Sequence, residues 1–391
     1  MEGRVNGETG RMIKGGMIPD SGLVWRLERE ALRGLLHYGE KSGSQKMVEG
    51  VKWMAGRDVP PNDPLFWPAG LLANALAEHL GQWEDGEEVM TALRTVFDKW
   101  LRTGMTIYFL DDILSGMALF TLYERTGERR YQKGVERMAE YLLRLSKEAA
   151  DEKGSLPYRP SQGNNHIYVD SIGMLCPFLV RYGIKFEKRE AVDLALTQVN
   201  NMLAYGMDGG TGLPYHGYRY RDKIKYGIIG WGRAVGWLLM GISGILQYLP
   251  REDFDYQEME EAFWHLVEAI VPWQKERGSF SWQLEALEGP DDSSATGMIA
   301  CAVSNFLRTQ EQQSGSSLQT VTRKRMAEGM VEKAVIWLGR CEKDGRIYRA
   351  SGECMGFSQY PQVYGAYPWS LGPALCLLKG EIERAENGRQ W

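Results

Sequence analysis

Histidine and cysteine are scarce in this chain of 391 residues, and long apolar runs are missing. The five histidines stand singly with no His-x-x-His pair, and no Cys/His/Asp set has ligand spacing, so no metal site is expected. The five cysteines, Cys176, Cys301, Cys341, Cys354 and Cys376, are odd in number and form no Cys-x-x-Cys. A disulfide framework and a zinc ribbon are thereby disfavoured, and reduced, buried thiols are expected. The most apolar stretch, Trp237 to Leu249, is broken by Gly241, Ser243, Gly244 and Gln247 and falls short of the ~20 residues of a membrane span. Residues 1–20 contain no apolar core of a signal peptide and are expected to be a flexible N-terminal segment of a soluble, cytoplasmic protein. There is no excess of positive charge: Lys plus Arg is 46 against 51 Asp plus Glu, which leaves no footprint for nucleic acid. A P-loop, a Rossmann glycine fingerprint and a Gly-x-Ser-x-Gly elbow are missing too.

What is present is an ordinary globular balance, 43% hydrophobic and 25% charged, enriched in glycine (46), tyrosine (19) and tryptophan (13). Sustained period-two alternation is lacking, so strands are expected only as short loop pieces. Instead one plan recurs: an apolar helix rich in small residues, a short loop, an amphipathic helix and a glycine turn. It starts at Trp67, Asp111, Asp170, Trp231, Ser293 and Tyr367, at intervals that lengthen along the chain, the last copy being shorter. The first helix of each pair is nearly all apolar and small, as in Trp231 to Met240, and reads as buried on every side. The second carries a charged face, as in Arg129 to Lys147. Six αα-hairpins of this kind predict an all-α, single-domain (α/α)6 barrel over residues 21–385, with the Gln/Ser-rich stretch 309–325 as a flexible surface loop. The starts of the inner helices would then converge on one mouth.

Two aspartates occupy equivalent places at such starts: Asp111 in Leu-Asp-Asp-Ile-Leu-Ser-Gly and Asp170 in Tyr-Val-Asp-Ser-Ile-Gly-Met. Either one suits helix capping. Together at a shared mouth they suit acid/base work by a carboxylate pair, in which one partner has a raised pKa. Asp112 is the adjacent alternative. The third junction gathers His216, Trp231, Arg233 and Trp237, an imidazole, a guanidinium and flat stacking faces that suit a small anionic sugar, or else simply a packed core.

The order Leu-Asp-x-Ile-x-x-Gly (110–116), Tyr-Val-Asp-Ser-x-x-Met (168–174), Thr-Gly-Leu-x-Tyr-His-Gly (211–217), Trp-Gly-Arg-x-x-Gly-Trp (231–237) and Asp-Ser-Ser-Ala-Thr (292–296) resembles the unsaturated uronyl hydrolases. These are the unsaturated rhamnogalacturonyl hydrolases of glycoside hydrolase family 105 and the related unsaturated glucuronyl hydrolases of family 88. The resemblance implies an (α/α)6 barrel and a cofactor-free hydration of the C4=C5 bond of a terminal unsaturated uronic acid, with galacturonyl-rhamnose from rhamnogalacturonan as the leading substrate. By the same resemblance Asp170 is the acid/base and Asp111 the second acid. His216 and Arg233 contact the uronate, and Trp237, Trp67 and Trp231 wall the site, with His166 nearby and Ser293 and Ser294 as a further wall. The chain departs from the family at Ala234 and Val235, where Gly-Asn is common, and at His166 to Ser171, where many members read Gln-Ile-Trp-Val-Asp-Gly. An epimerase or isomerase on the same ring would need paired histidines at the mouth, for which His216 and His166 are the only candidates. A non-catalytic sugar-binding protein would lack the acids. The expected partner is a small anionic oligosaccharide, with no nucleic acid and no membrane. The oligomeric state is not legible in the sequence.

Overall fold

The structure, a computed structural model, describes residues 10–13, 16–19, 21–40, 63–78, 80, 86–160, 165–310 and 318–387. Twelve α-helices among these residues make two concentric rings. The inner ring is α2 (Trp67–Glu78), α4 (Gly116–Thr126, entered through a 3-10 turn Leu110–Ser115), α6 (Asp170–Lys185), α8 (Gly232–Tyr248), α10 (Ser293–Gln310) and α12 (Pro368–Asn387). The outer ring is α1 (Ser21–Leu36), α3 (Gly86–Arg102), α5 (Arg129–Glu148), α7 (Arg189–Tyr205), α9 (Tyr256–Ile270) and α11 (Leu318–Cys341). Each inner helix packs on the next around the circle, and α12 returns to α2, so the (α/α)6 barrel closes.

Hydrophobic patterning explains the two rings. In α5, Val135, Met138, Leu142 and Leu145 form one buried stripe, while the charged residues face out. In α8 nearly every side chain is buried, because neighbouring helices cover it on all sides. Such close packing of inner helices needs small residues at the crossings. A Cβ on Gly173 of α6 would lie 2.6 Å from the Trp237 ring and 2.7 Å from its carbonyl oxygen, and one on Gly241 of α8 would meet Ile172 at the same 2.6 Å.

One expectation changes, and two stretches expected to be flexible carry ordered elements. The final copy of the repeat is an inner helix whose outer partner is α1, from the other end of the chain. Lys379 of α12 and Glu28 of α1, both buried, form the ion pair across that seam. At the N-terminus, β1 (Gly10–Ile13) and β2 (Gly16–Pro19) pair as an antiparallel hairpin within the stretch expected to be flexible; the other residues of 1–20 lie outside the described residues. The stretch 309–325 is helical at both ends, since α10 runs to Gln310 and α11 begins at Leu318; residues 311–317 lie outside the described residues.

Short strands cluster at the mouth. β3 (His166–Tyr168), β4 (Gly217–Arg219) and β5 (Lys225–Tyr226) form one antiparallel sheet. Beyond α11 come the small pairs β6 (Glu342–Lys343) with β7 (Arg346–Ile347), and β8 (Ala350–Ser351) with β9 (Tyr364–Gly365). No described helix is long and apolar enough to cross a membrane.

Candidate active site

A pocket of about 260 Å³ opens where the inner helices begin. The β3–β4 register creates its centre. Tyr168 pairs with Gly217, so the residues just past that pair, Asp170 and His216, come side by side, and Val169 N–H donates to the His216 carbonyl at 3.0 Å. Glycine is required at 217, because a Cβ there would sit 2.1 Å from the Ile167 carbonyl oxygen.

His216 Nε2 lies 3.0 Å from Asp170 Oδ2, an ion-pair distance but off hydrogen-bond alignment, so that this buried oxygen has no donor. On its other side the imidazole is held by Tyr360, whose hydroxyl is 2.9 Å from Nδ1 and accepts the Ile228 N–H at 3.3 Å. Asp170 is the first residue of α6. Val169 is the N-cap and no side chain caps this end, so the Asp170 carboxylate is not used for capping.

The two adjacent aspartates of the 3-10 turn divide their tasks. Asp112 does the capping: its Oδ2 accepts the N–H groups of Tyr108 (2.7 Å) and Phe109 (3.2 Å). It is fully buried away from the pocket, and burial, together with the neighbouring Asp63 carboxylate, pushes its carboxyl up to about 9. Asp111 lines the pocket. Its Oδ2 accepts from Arg159 at 2.9 Å and from the Tyr158 hydroxyl at 3.1 Å, while Oδ1 is buried without a donor. Burial raises the Asp111 pKa above the usual carboxylate range, Arg159 opposes that shift, and the nearby Asp170 adds to it.

Trp67, Trp231 and Trp237 all line the pocket. Trp67 meets Trp237 edge-on at 6.2 Å, and Trp231 lies 4.4 Å from the His216 ring. Arg233 also lines it, but the residue is only 2% exposed and its guanidinium is largely committed. It donates to the Ser351 carbonyl (3.0 Å), Ser351 Oγ (2.6 Å), Ser294 Oγ (3.3 Å) and the Gly352 carbonyl (2.8 Å), with Asp292 Oδ2 at 3.8 Å. Arg233 thus fastens β8 and the loop that follows it. Ser293 and Ser294 are fully buried, Ser294 as part of this network, and neither is among the residues that line the pocket. His166 is also outside the lining. Its ring packs edge-on against Tyr226 and Phe357, and burial and Arg219 lower its pKa from the ordinary value.

Sequence reasoning missed Tyr158 and Arg159, which precede β3, and Glu353 and Cys354, which follow β8. Arg159 stacks over Phe109 at 3.9 Å while holding Asp111. Glu353 faces into the same pocket within electrostatic reach of Arg233 and Arg159. The available signal was local: Pro, Gly and aromatic residues concentrated in non-helical stretches leading to inner helices, in Leu-Pro-Tyr-Arg-Pro (156–160) and in 352–361. Among the described residues no cluster of His, Cys, Asp and Glu could hold a metal ion.

Comparison with known proteins places this geometry in context. Residues 42–380 match Glycosyl Hydrolase Family 88. The chain is 24% identical over 324 residues to the unsaturated rhamnogalacturonyl hydrolase YesR of Bacillus subtilis, covering 80% of this chain and 88% of the relative. A crystal structure of a possible member of the GH105 family from Klebsiella pneumoniae superimposes with a TM-score of 0.77 at 18% identity, covering 96% of this chain and 95% of that one. The unsaturated glucuronyl hydrolase of Bacillus sp. GL1 gives a TM-score of 0.66 at 18% identity, with 93% and 97% covered.

Proposed function

The chain belongs to Glycosyl Hydrolase Family 88, and we propose that it removes a terminal 4,5-unsaturated uronic acid from short lyase-generated oligosaccharides, with galacturonyl-rhamnose from rhamnogalacturonan as the first substrate. The observation that carries this reading is the pair of buried carboxylate oxygens without donors, Asp170 Oδ2 and Asp111 Oδ1, on two residues of one pocket. Buried polar atoms are nearly always hydrogen-bonded, and an exception calls for an explanation, of which a catalytic role or a bound ligand is one. The rhamnogalacturonan choice rests on the named activity of the Bacillus relative.

In the proposed reaction Asp170 delivers a proton to C4. The electrons of the C4=C5 bond form the new C–H bond, and the positive charge at C5 is shared with the ring oxygen. Water attacks C5 and gives its proton to Asp170. The resulting hemiketal opens at C5, and the hemiacetal left at C1 releases the aglycone. One carboxyl group works first as acid and then as base, so the reaction needs no nucleophile at the anomeric carbon, and the usual spacing rule for two glycosidase carboxylates does not apply. His216 sets Nε2 3.0 Å from the carboxylate. The Tyr360 oxygen accepts the Ile228 N–H and has its own proton to offer to Nδ1, an arrangement that favours the Nε2–H tautomer. Asp111, its Oδ2 held by Arg159 and Tyr158, offers Oδ1 to sugar hydroxyls. The tryptophans supply apolar faces for the ring, and Arg159 is the lining cation nearest the acids for the uronate carboxylate, with Arg233 already engaged by Ser351 and Gly352. Among the described residues His216 is the one histidine that lines the pocket, which speaks against a two-histidine epimerase.

The test is the loss of ultraviolet absorbance of the conjugated C4=C5 carboxylate when the protein meets unsaturated disaccharides from pectin, glycosaminoglycan and ulvan lyases. Decay is expected with the pectin product. Decay only with a glucuronyl product would move the aglycone assignment and keep the reaction, and decay with none would overturn both.

A further inference from the structure

A second cavity, of about 90 Å³, lies on the barrel axis at the other end of the inner ring. The active-site pocket takes Trp67 from the first turn of α2 and Trp231 from the threshold of α8. This cavity instead takes Glu78 from the last turn of α2 and Gln247 from the last turn of α8. Two cysteines line it on neighbouring inner helices, Cys301 of α10 and Cys376 of α12. Their sulfurs are 3.0 Å apart, and Cys376 Sγ is 3.2 Å from Glu78 Oε2. Asn305 Nδ2 approaches Cys376 Sγ at 4.0 Å. The Arg308 guanidinium, 3.0 Å from Glu78 Oε1, acts on both sulfurs through space. Both thiols are buried, but the cavity reaches solvent past the exposed Gln247. The proposed hydrolysis uses none of these groups.

We propose that Cys301 and Cys376 are a reversible oxidation site, a dithiol that hydrogen peroxide converts into a disulfide between α10 and α12. Glu78 accepts the Cys376 proton, and Arg308 and Asn305 stabilise the thiolate, which is the reactive form of the residue. The thiolate attacks one peroxide oxygen and the O–O bond breaks. The departing hydroxide takes the proton from Glu78 and leaves as water, and Cys376 is left as a sulfenic acid. Cys301 Sγ then attacks the Cys376 sulfur, the S–S bond forms and the S–O bond breaks. The hydroxyl leaves with the Cys301 proton as a second water. Two thiols have lost two hydrogens, and one peroxide has become two waters. The sulfurs need to close by only about 1 Å to reach the ~2.05 Å bond length. The bond would span residues 301 to 376 and tie together two helices that neighbour each other in the ring.

The test treats the full chain with hydrogen peroxide, alkylates the remaining thiols and maps the peptides. The expected result is the loss of two of the five thiols, with a linked peptide containing Cys301 and Cys376 that is two hydrogens lighter than its parts and is reversed by dithiothreitol. The loop closed by the bond should raise Tm by about 5 °C. In Cys301→Ala the same treatment should leave a sulfenic acid on Cys376 that dimedone captures. Retention of all five thiols, or oxidation of Cys376 without the linked peptide in the unmutated chain, would overturn the proposal, and the peptide map of the unmutated chain decides this even where Cys301→Ala does not fold.

Discussion

Asp170→Asn separates the proposed chemistry from everything else the residue does. The replacement keeps the size and shape of the side chain, and Asp170 caps no helix end, so the loss of its charge at the start of α6 should change stability by no more than about 1 kcal/mol. What it removes is a group that holds a proton. General acid or base help is worth about 10²–10⁴-fold in rate, and here one carboxyl serves in both capacities. We therefore expect kcat to fall at least ~10³-fold, which corresponds to about 4 kcal/mol of lost transition-state stabilisation. Binding should survive, because Trp67, Trp231, Trp237 and Arg159 line the pocket unaltered. A change of Kd within about threefold, ~0.7 kcal/mol, is the expectation. The assay is single-turnover decay of the C4=C5 absorbance, with tryptophan fluorescence reporting binding. Turnover within tenfold of the unmutated enzyme would refute the assignment of Asp170. If Asp111→Asn abolished turnover while Asp170→Asn did not, the two acids would exchange roles.

Three further outcomes test the framework around the site. Asp112 has its carboxyl pushed up to about 9 by burial and by Asp63, above its ordinary value, so the stability it contributes is fully present below about pH 4 and is lost as pH rises through about 9. Asp112→Asn should remove this slope, up to ~1.4 kcal/mol per pH unit, and be the more stable protein at pH 8; urea unfolding at pH 5 and pH 8 checks it, and an unchanged slope refutes it. Gly173→Ala drives a Cβ to 2.6 Å from the Trp237 ring, an overpacking that costs about 1–3 kcal/mol, and should lower Tm and raise KM together by displacing a pocket wall. Arg233→Leu should destabilise the fold by about 3–5 kcal/mol, because buried Asp292 loses its cation and the Ser351 and Gly352 carbonyls lose their donor. If that variant melts like the unmutated protein and only KM rises, the guanidinium is a substrate clamp and not a loop anchor.

The parts of this molecule legible in its sequence are those governed by local rules. Inner and outer helices differ in hydrophobic pattern, and that difference repeats, so the barrel and the place of its mouth follow from periodicity alone. Asp111, Asp170 and His216 were legible because each stands at a junction between repeats. The illegible parts are pairings between distant segments. That α1 completes the ring against α12 depends on a contact such as Glu28 with Lys379, 351 residues apart, which no local pattern encodes. Arg159 reaches Asp111 across 48 residues and lies in a loop without periodicity, so nothing marked it as the cation beside the acid. Arg233 looked free because two of its acceptors are main-chain carbonyls, which are the same in every sequence. The choice between Asp111 and Asp112 is the sharpest case. Both are acids in the same turn and both are buried, and only the direction of each carboxylate decides which caps the turn and which faces the pocket. Position in the repeat therefore identified the acidic pair of the mouth, whereas the division of labour within it is set by two backbone N–H groups and one guanidinium that only the folded chain brings together.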